Sequence, residues 1–140
     1  MSHDLITRLF LPPFDNPALR AGDDAGVVTP GPGTKLAIST DSHVVTPLFF
    51  PGGDIGKLAV CGTVNDLAVS GAIPQYIACS FIIEEGFPIE DLTEIVNSMA
   101  EEALIAGVKI VAGDTKVVGK GKCDKIFITT SGTGTLERGR

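Results

Sequence analysis

Histidine is nearly missing: His3 and His43 are the only two, forty positions apart, which excludes a histidine-rich metal site. Cysteine is scarce too. Cys61, Cys79 and Cys123 are odd in number, widely spaced and without a Cys-x-x-Cys pair, so neither a disulfide framework nor a zinc site is expected. They read as reduced thiols of a cytoplasmic protein, with Cys61 and Cys79 expected as small core residues. Basic residues are outnumbered, 11 Lys and Arg against 17 Asp and Glu, for a net charge of -6. That surplus repels a polyanion and argues against nucleic acid as a partner. The longest apolar run, Tyr76 to Ile83, is interrupted by Ser80 and falls far short of the roughly 20 residues of a membrane-spanning helix. The opening Met-Ser-His-Asp lacks the basic and apolar pattern of a secretory leader, so none is expected. The common nucleotide and hydrolase signatures are absent as well: there is no P-loop, no Gly-x-Gly-x-x-Gly and no Gly-x-Ser-x-Gly elbow.

What is present is a folded chain of 140 residues, 44% hydrophobic and 20% charged, enough for one core. Residues 1–20 are expected as an arm stopped by Pro12-Pro13, and residues 21–140 as the domain. Strands are expected at Ala25 to Val28, Lys35 to Thr40, Gln75 to Ile83, Val108 to Ala112 and Lys125 to Thr133. One helix should start behind Asp54 as its cap and run to about Ser70, where Gly71 stops it. Its residues are small or apolar all round, which predicts burial between layers. A second helix is marked by Leu92, Ile95, Val96, Met99, Ala103 and Ala106 at helical spacing, with Pro88 near its start and Gly107 past its end. Strands interleaved with two helices predict an α/β (α+β layered) domain, a mixed sheet with helices on one face.

The residues that suggest chemistry are aspartates at the ends of elements, beside glycine, serine or threonine. They are Asp24 in GDDAG, Asp41 in STDS, Asp66 in VNDLAVSGA and Asp114 in AGDTK. Carboxylates in such settings are oxygen donors for a hard cation such as Mg2+ that bridges to phosphates. An aspartate at a turn also commonly serves only nearby backbone amides. Asp66 fits that second role least, because a charge among small apolar helix residues is costly without a partner. Lys116 reads equally as a phosphate contact or as a solvated lysine near Lys120 and Lys122. His43 reads as a residue that packs or hydrogen-bonds beside its strand.

At these residues the chain resembles the N-terminal half of the HypE family, the carbamoyl dehydratases of [NiFe]-hydrogenase maturation. That family belongs to the superfamily of aminoimidazole ribonucleotide (AIR) synthetase and selenophosphate synthetase. The resemblance runs from GDDAG through STDSHVVTPLFFPGGDIGKLAVCGTVNDLAVSGA and FIIEEGFPIEDL to AGDTKVV and SGTG. It implies an AIR synthetase-like ATP-binding domain that pairs as a homodimer through its strands, with Mg-ATP in clefts at the interface. Asp24, Asp41 and Asp66 match the family's magnesium-binding aspartates. Asn65 and Gly113, Asp114, Thr115 and Lys116 match positions around the phosphates. In the implied reaction, ATP phosphorylates the oxygen of a carboxamide carried on the sulfur of a C-terminal cysteine, and loss of phosphate leaves a thiocyanate. The carbamoyltransferase HypF and the HypC–HypD complex are the implied partners. The 140 residues include neither the family's second domain nor its Pro-Arg-Val-Cys tail, so this chain is not expected to complete the reaction alone. Two other readings stand beside this one: a superfamily relative such as a thiamine-monophosphate kinase or selenophosphate synthetase, and a pairing scaffold that binds no nucleotide.

Overall fold

The computed structural model describes residues 11–14 and 31–136, so the strand expected at Ala25 to Val28, and Asp24 itself, lie outside the described residues. Alternating short runs of apolar and small residues build a sheet from β1 (Lys35–His43), β4 (Ile73–Glu84), β5 (Lys109–Val118) and β6 (Ile126–Leu136). The strand order is β1-β6-β4-β5. β6 runs antiparallel to both β1 and β4, whereas β4 and β5 are parallel. A parallel pair requires a crossover, supplied by helix α3 (Ile89–Ala106). A two-residue pairing of β2 (Phe49–Phe50) with β3 (Gly53–Asp54) wraps the Pro51-Gly52 turn and leads into helix α2 (Ile55–Val69). A single turn, α1 (Leu11–Phe14), places Phe14 in the core.

Both long helices lie on one face of the sheet, as expected. α3 contributes Leu92, Ile95, Val96 and Met99, which meet Ile77 and Phe81 of β4 and Ile126 and Ile128 of β6 in one buried cluster. Burial of each such side chain contributes roughly 1.5–3 kcal/mol. Along β6 burial alternates strictly, with Ile126, Ile128, Thr130, Gly132 and Gly134 under the helices. Gly132 is required there: a Cβ would collide with Thr63 of α2 and stand 3.0 Å from Leu67 Cδ1, so α2 rests directly on the strand. Gly107 ends α3 in the left-handed conformation, φ 73°.

Three expectations need correction. α2 is not buried all round. Ile55, Gly56, Ala59, Val60, Thr63 and Leu67 face inward, but Asn65, Asp66, Ala68 and Val69 are exposed, because only one side of the helix meets the sheet. Cys61 falls on the exposed side and is not a core residue, whereas Cys79 and Cys123 are buried. β5 continues to Val118, so Gly113 to Lys116 are part of an edge strand and do not lie past its end.

Among the described residues, nothing covers the opposite face of the sheet. Leu36 and Ile38 of β1 are 51% and 74% exposed, and Ile73 of β4 is 52% exposed. Register places Leu36 and Ile73 beside Thr135 and Ile38 beside Thr133 on that face.

Candidate functional site

The site is assembled where α2 crosses β1 and β6. Asp54 accepts the Lys57 backbone N–H at 2.9 Å and so caps α2, which fixes the rotation of the helix over the sheet. The crossing places Gly62 directly above His43: a Cβ at Gly62 would stand 3.3 Å from His43 Cε1. Asp66 follows Gly62 by one helical turn on the same side. Asp41 precedes His43 by two residues on β1 and therefore shares its face of the strand.

His43 is buried, 6% exposed, and its Nε2 lies 3.3 Å from the Thr130 hydroxyl. That hydroxyl also shares a short hydrogen bond with the hydroxyl of Thr63 on α2. Burial lowers the pKa of His43 below the usual histidine range, and Asp41 and Asp66 partly oppose the shift. Both carboxylates are thus close enough to act on one imidazole, though they come from separate elements. Asp41 and Asp66 are themselves exposed. Asp41 Oδ1 accepts the Ser42 backbone N–H at 2.9 Å, and its second oxygen has no hydrogen bond among the described residues.

The remaining candidates are placed differently. Asn65 points toward α3 and lines an open groove with Cys61, Val64, Ala68, Glu102 and Ala106. Gly113 belongs to the same row of the sheet as Asp41, because Asp41 pairs with Thr130, Thr130 with Cys79 and Cys79 with Gly113. Three strand spacings, about 14 Å in all, separate the two edges of that row. Asp114 and Lys116 pair with Ser80 and Ile82, whose side chains lie on the uncovered face, opposite to Asp41 and Asp66.

Asp41 and Asp66 are exposed carboxylates, hard oxygen donors of the kind a divalent cation takes. Among the described residues no group of three or more metal-ligating side chains occurs, so this pair would complete its coordination with oxygens from elsewhere. Thr63 and Thr130 belong to none of the aspartate motifs that the sequence displays. A usable signal was present, since Thr130 occupies an inward position of a strand whose other inward residues are isoleucines and glycines.

The fold and these residues define the class. The pattern described as "AIR synthase related protein, N-terminal domain" matches residues 22–136, and the chain belongs to that family. Within it, the chain is 56% identical over 135 residues to the carbamoyl dehydratase HypE of Cupriavidus necator, a match covering 96% of this chain and 38% of that protein. A crystal structure of the hydrogenase maturation protein HypE in complex with ATP is 53% identical, with a TM-score of 0.93 over 96% of this chain and 40% of the other. A HypE–HypF complex structure is 60% identical, with a TM-score of 0.74 over 96% of this chain and 43% of the other. The chain therefore spans about two fifths of the length of these relatives, and the resemblance read from the motifs holds.

Proposed function

We propose that this chain is the nucleotide-binding and pairing half of a carbamoyl dehydratase of the HypE type, active in hydrogenase maturation. What supports the reading is that Asp41 shares a strand face with His43 and Asp66 follows Gly62, which lies over His43, by one helical turn, in a chain similar at 53% identity to a HypE solved with ATP. Asp41 and Asp66, together with Asp24, would hold Mg2+, and Asn65 and the Gly113–Lys116 segment would contact the phosphates.

When bound, ATP supplies the phosphoryl group that turns a carboxamide oxygen on the full-length protein's C-terminal cysteine into a leaving group, so that a thiocyanate results. Phosphoryl transfer of this kind needs positioning and charge neutralisation more than a protein nucleophile. The residues suit that division: two carboxylates to hold a cation, and Lys116 as a point charge toward phosphate.

Within one copy, the Asp41–Asp66 side and the Asp114–Lys116 side occupy opposite edges and opposite faces of the sheet. A homodimer formed through the uncovered face, over Leu36, Ile38 and Ile73, gives these two sets a way to meet, with the second copy supplying what the first lacks. The exposed apolar side chains on that face support the pairing. HypF, and by resemblance the HypC–HypD complex, would be partners of the whole protein. Free thiols at Cys61, Cys79 and Cys123 agree with a cytoplasmic location, and among the described residues no helix is long and apolar enough to cross a membrane.

Thermal unfolding with and without Mg-ATP tests the reading. A ligand present at 100 times its Kd and bound only to the folded chain adds about 2.7 kcal/mol of stability. The expected result is a higher Tm with ATP and Mg2+ and a smaller rise with ATP and a chelator. No shift in a chain that still pairs would instead favour a scaffold that binds no nucleotide.

A further inference from the structure

Resting on the magnesium–nucleotide reading above, we propose that Thr63, Thr130 and His43 are positioning residues of that site, a buried hydrogen-bonded chain that sets the separation between Asp41 and Asp66. The chain crosses three elements, from α2 through β6 to β1. Thr63 and Thr130 are completely buried, and their hydroxyls are hydrogen-bonded to each other. Thr130 also meets His43 Nε2 at 3.3 Å and is the register partner of Asp41. His43 in turn lies under Gly62, one turn before Asp66. Movement of the imidazole would therefore disturb Thr130, the register partner of Asp41, and Gly62, one turn before Asp66.

Packing alone does not account for this arrangement. The inward positions on either side of Thr130 in β6 are Ile128 and Gly132, and apolar side chains of matching shape in place of the two threonine hydroxyls would be about as stable. A hydroxyl–hydroxyl–imidazole chain adds directionality, since each member is satisfied only at one distance and orientation. Asp41 is anchored on a strand and Asp66 on a helix, so their spacing depends on what ties the helix to that strand. Groups hydrogen-bonded directly to metal ligands typically contribute 10–100-fold to metal affinity, and a chain that acts through the elements carrying the ligands is expected at the lower end of that range.

The test is titration of the 140-residue chain with Mn2+–ATP, followed by electron paramagnetic resonance, with urea unfolding curves recorded on the same samples. Thr130→Val and His43→Leu are expected to weaken Mn2+–ATP binding about tenfold while remaining folded, and Thr130→Ser to bind as the parent does. Asp41→Asn and Asp66→Asn separate the two levels of the argument. If both aspartate variants bind as the parent does, the metal reading itself fails. If they lose binding while Thr130→Val and His43→Leu keep parental affinity, or if Thr130→Ser fails to restore it, the positioning role is overturned. Should Thr130→Val not fold, Thr63→Val and Thr63→Ser provide the same comparison from the other end of the chain.

Discussion

The Ser98 hydroxyl of α3 donates to the buried carboxylate of Asp54 at 2.6 Å, while the other oxygen of that carboxylate caps α2. One side chain thus joins the start of the site helix to the middle of its neighbour. Asp54→Ala removes the cap and leaves Ser98 unpaired, and is expected to cost about 2–3 kcal/mol in urea unfolding. Ser98→Ala, which leaves the cap intact, should cost about 1 kcal/mol. Equal losses would show that the bridge, and not the cap, dominates.

Helix α2 also meets α3 through Gly56, where a Cβ would collide with the Ile95 carbonyl oxygen and stand 2.9 Å from Met99 Cγ. Alanine favours helix over glycine by about 1 kcal/mol, so propensity alone predicts that Gly56→Ala stabilises. The close approach predicts the reverse, a loss of about 1–3 kcal/mol from overpacking. Chemical denaturation of the variant decides between the two.

The thiols differ sharply in environment. Cys79 is buried and its pKa is pushed up to about 12 by desolvation. Cys61 is exposed, yet its pKa is raised by partial burial and by Glu102, whose carboxylate accepts its S–H at 3.3 Å, with Lys57 acting weakly in the opposite sense. Only thiolate reacts. Aromatic disulfide reagents are therefore expected to label Cys61 first, more slowly at neutral pH than a free cysteine, and Cys79 only after unfolding. Glu102→Gln removes the negative charge and should accelerate labelling of Cys61.

Pairing through the open sheet face predicts a dimer in sedimentation at micromolar concentration. Ile38, 74% exposed at the centre of β1, is the position to probe. Ile38→Lys should produce a folded monomer with an unchanged far-ultraviolet spectrum. A parent chain that sediments only as monomer would remove the paired cleft.

Much of the fold was legible because its signals are local. The period of Leu92, Ile95, Val96 and Met99 located α3, Asp54 and Gly71 bounded α2, alternation located β1, and the runs Gln75 to Ile83 and Lys125 to Thr133 located β4 and β6. What failed depended on tertiary contacts. Ala, Gly and Cys are neutral about burial, so the helix from Ile55 to Val69 looked apolar on every side, and only its docking on β6 reveals Cys61 and Asp66 as exposed. The extension of β5 through Gly113 and Asp114 depends on ladder pairing with Cys79 and Ser80, which glycine and aspartate do not advertise. Asp41 and Asp66 were visible as candidates. Their placement on either side of His43 was not, because the pairing of β1 with β6 and the docking of α2 set it.

Calorimetric titration of ATP into the parent chain and Asp66→Asn, each with and without Mg2+, tests the central claim most directly. Mg2+ is expected to strengthen ATP binding to the parent, and this strengthening to disappear in Asp66→Asn. Equal Mg2+ dependence in both chains would contradict it.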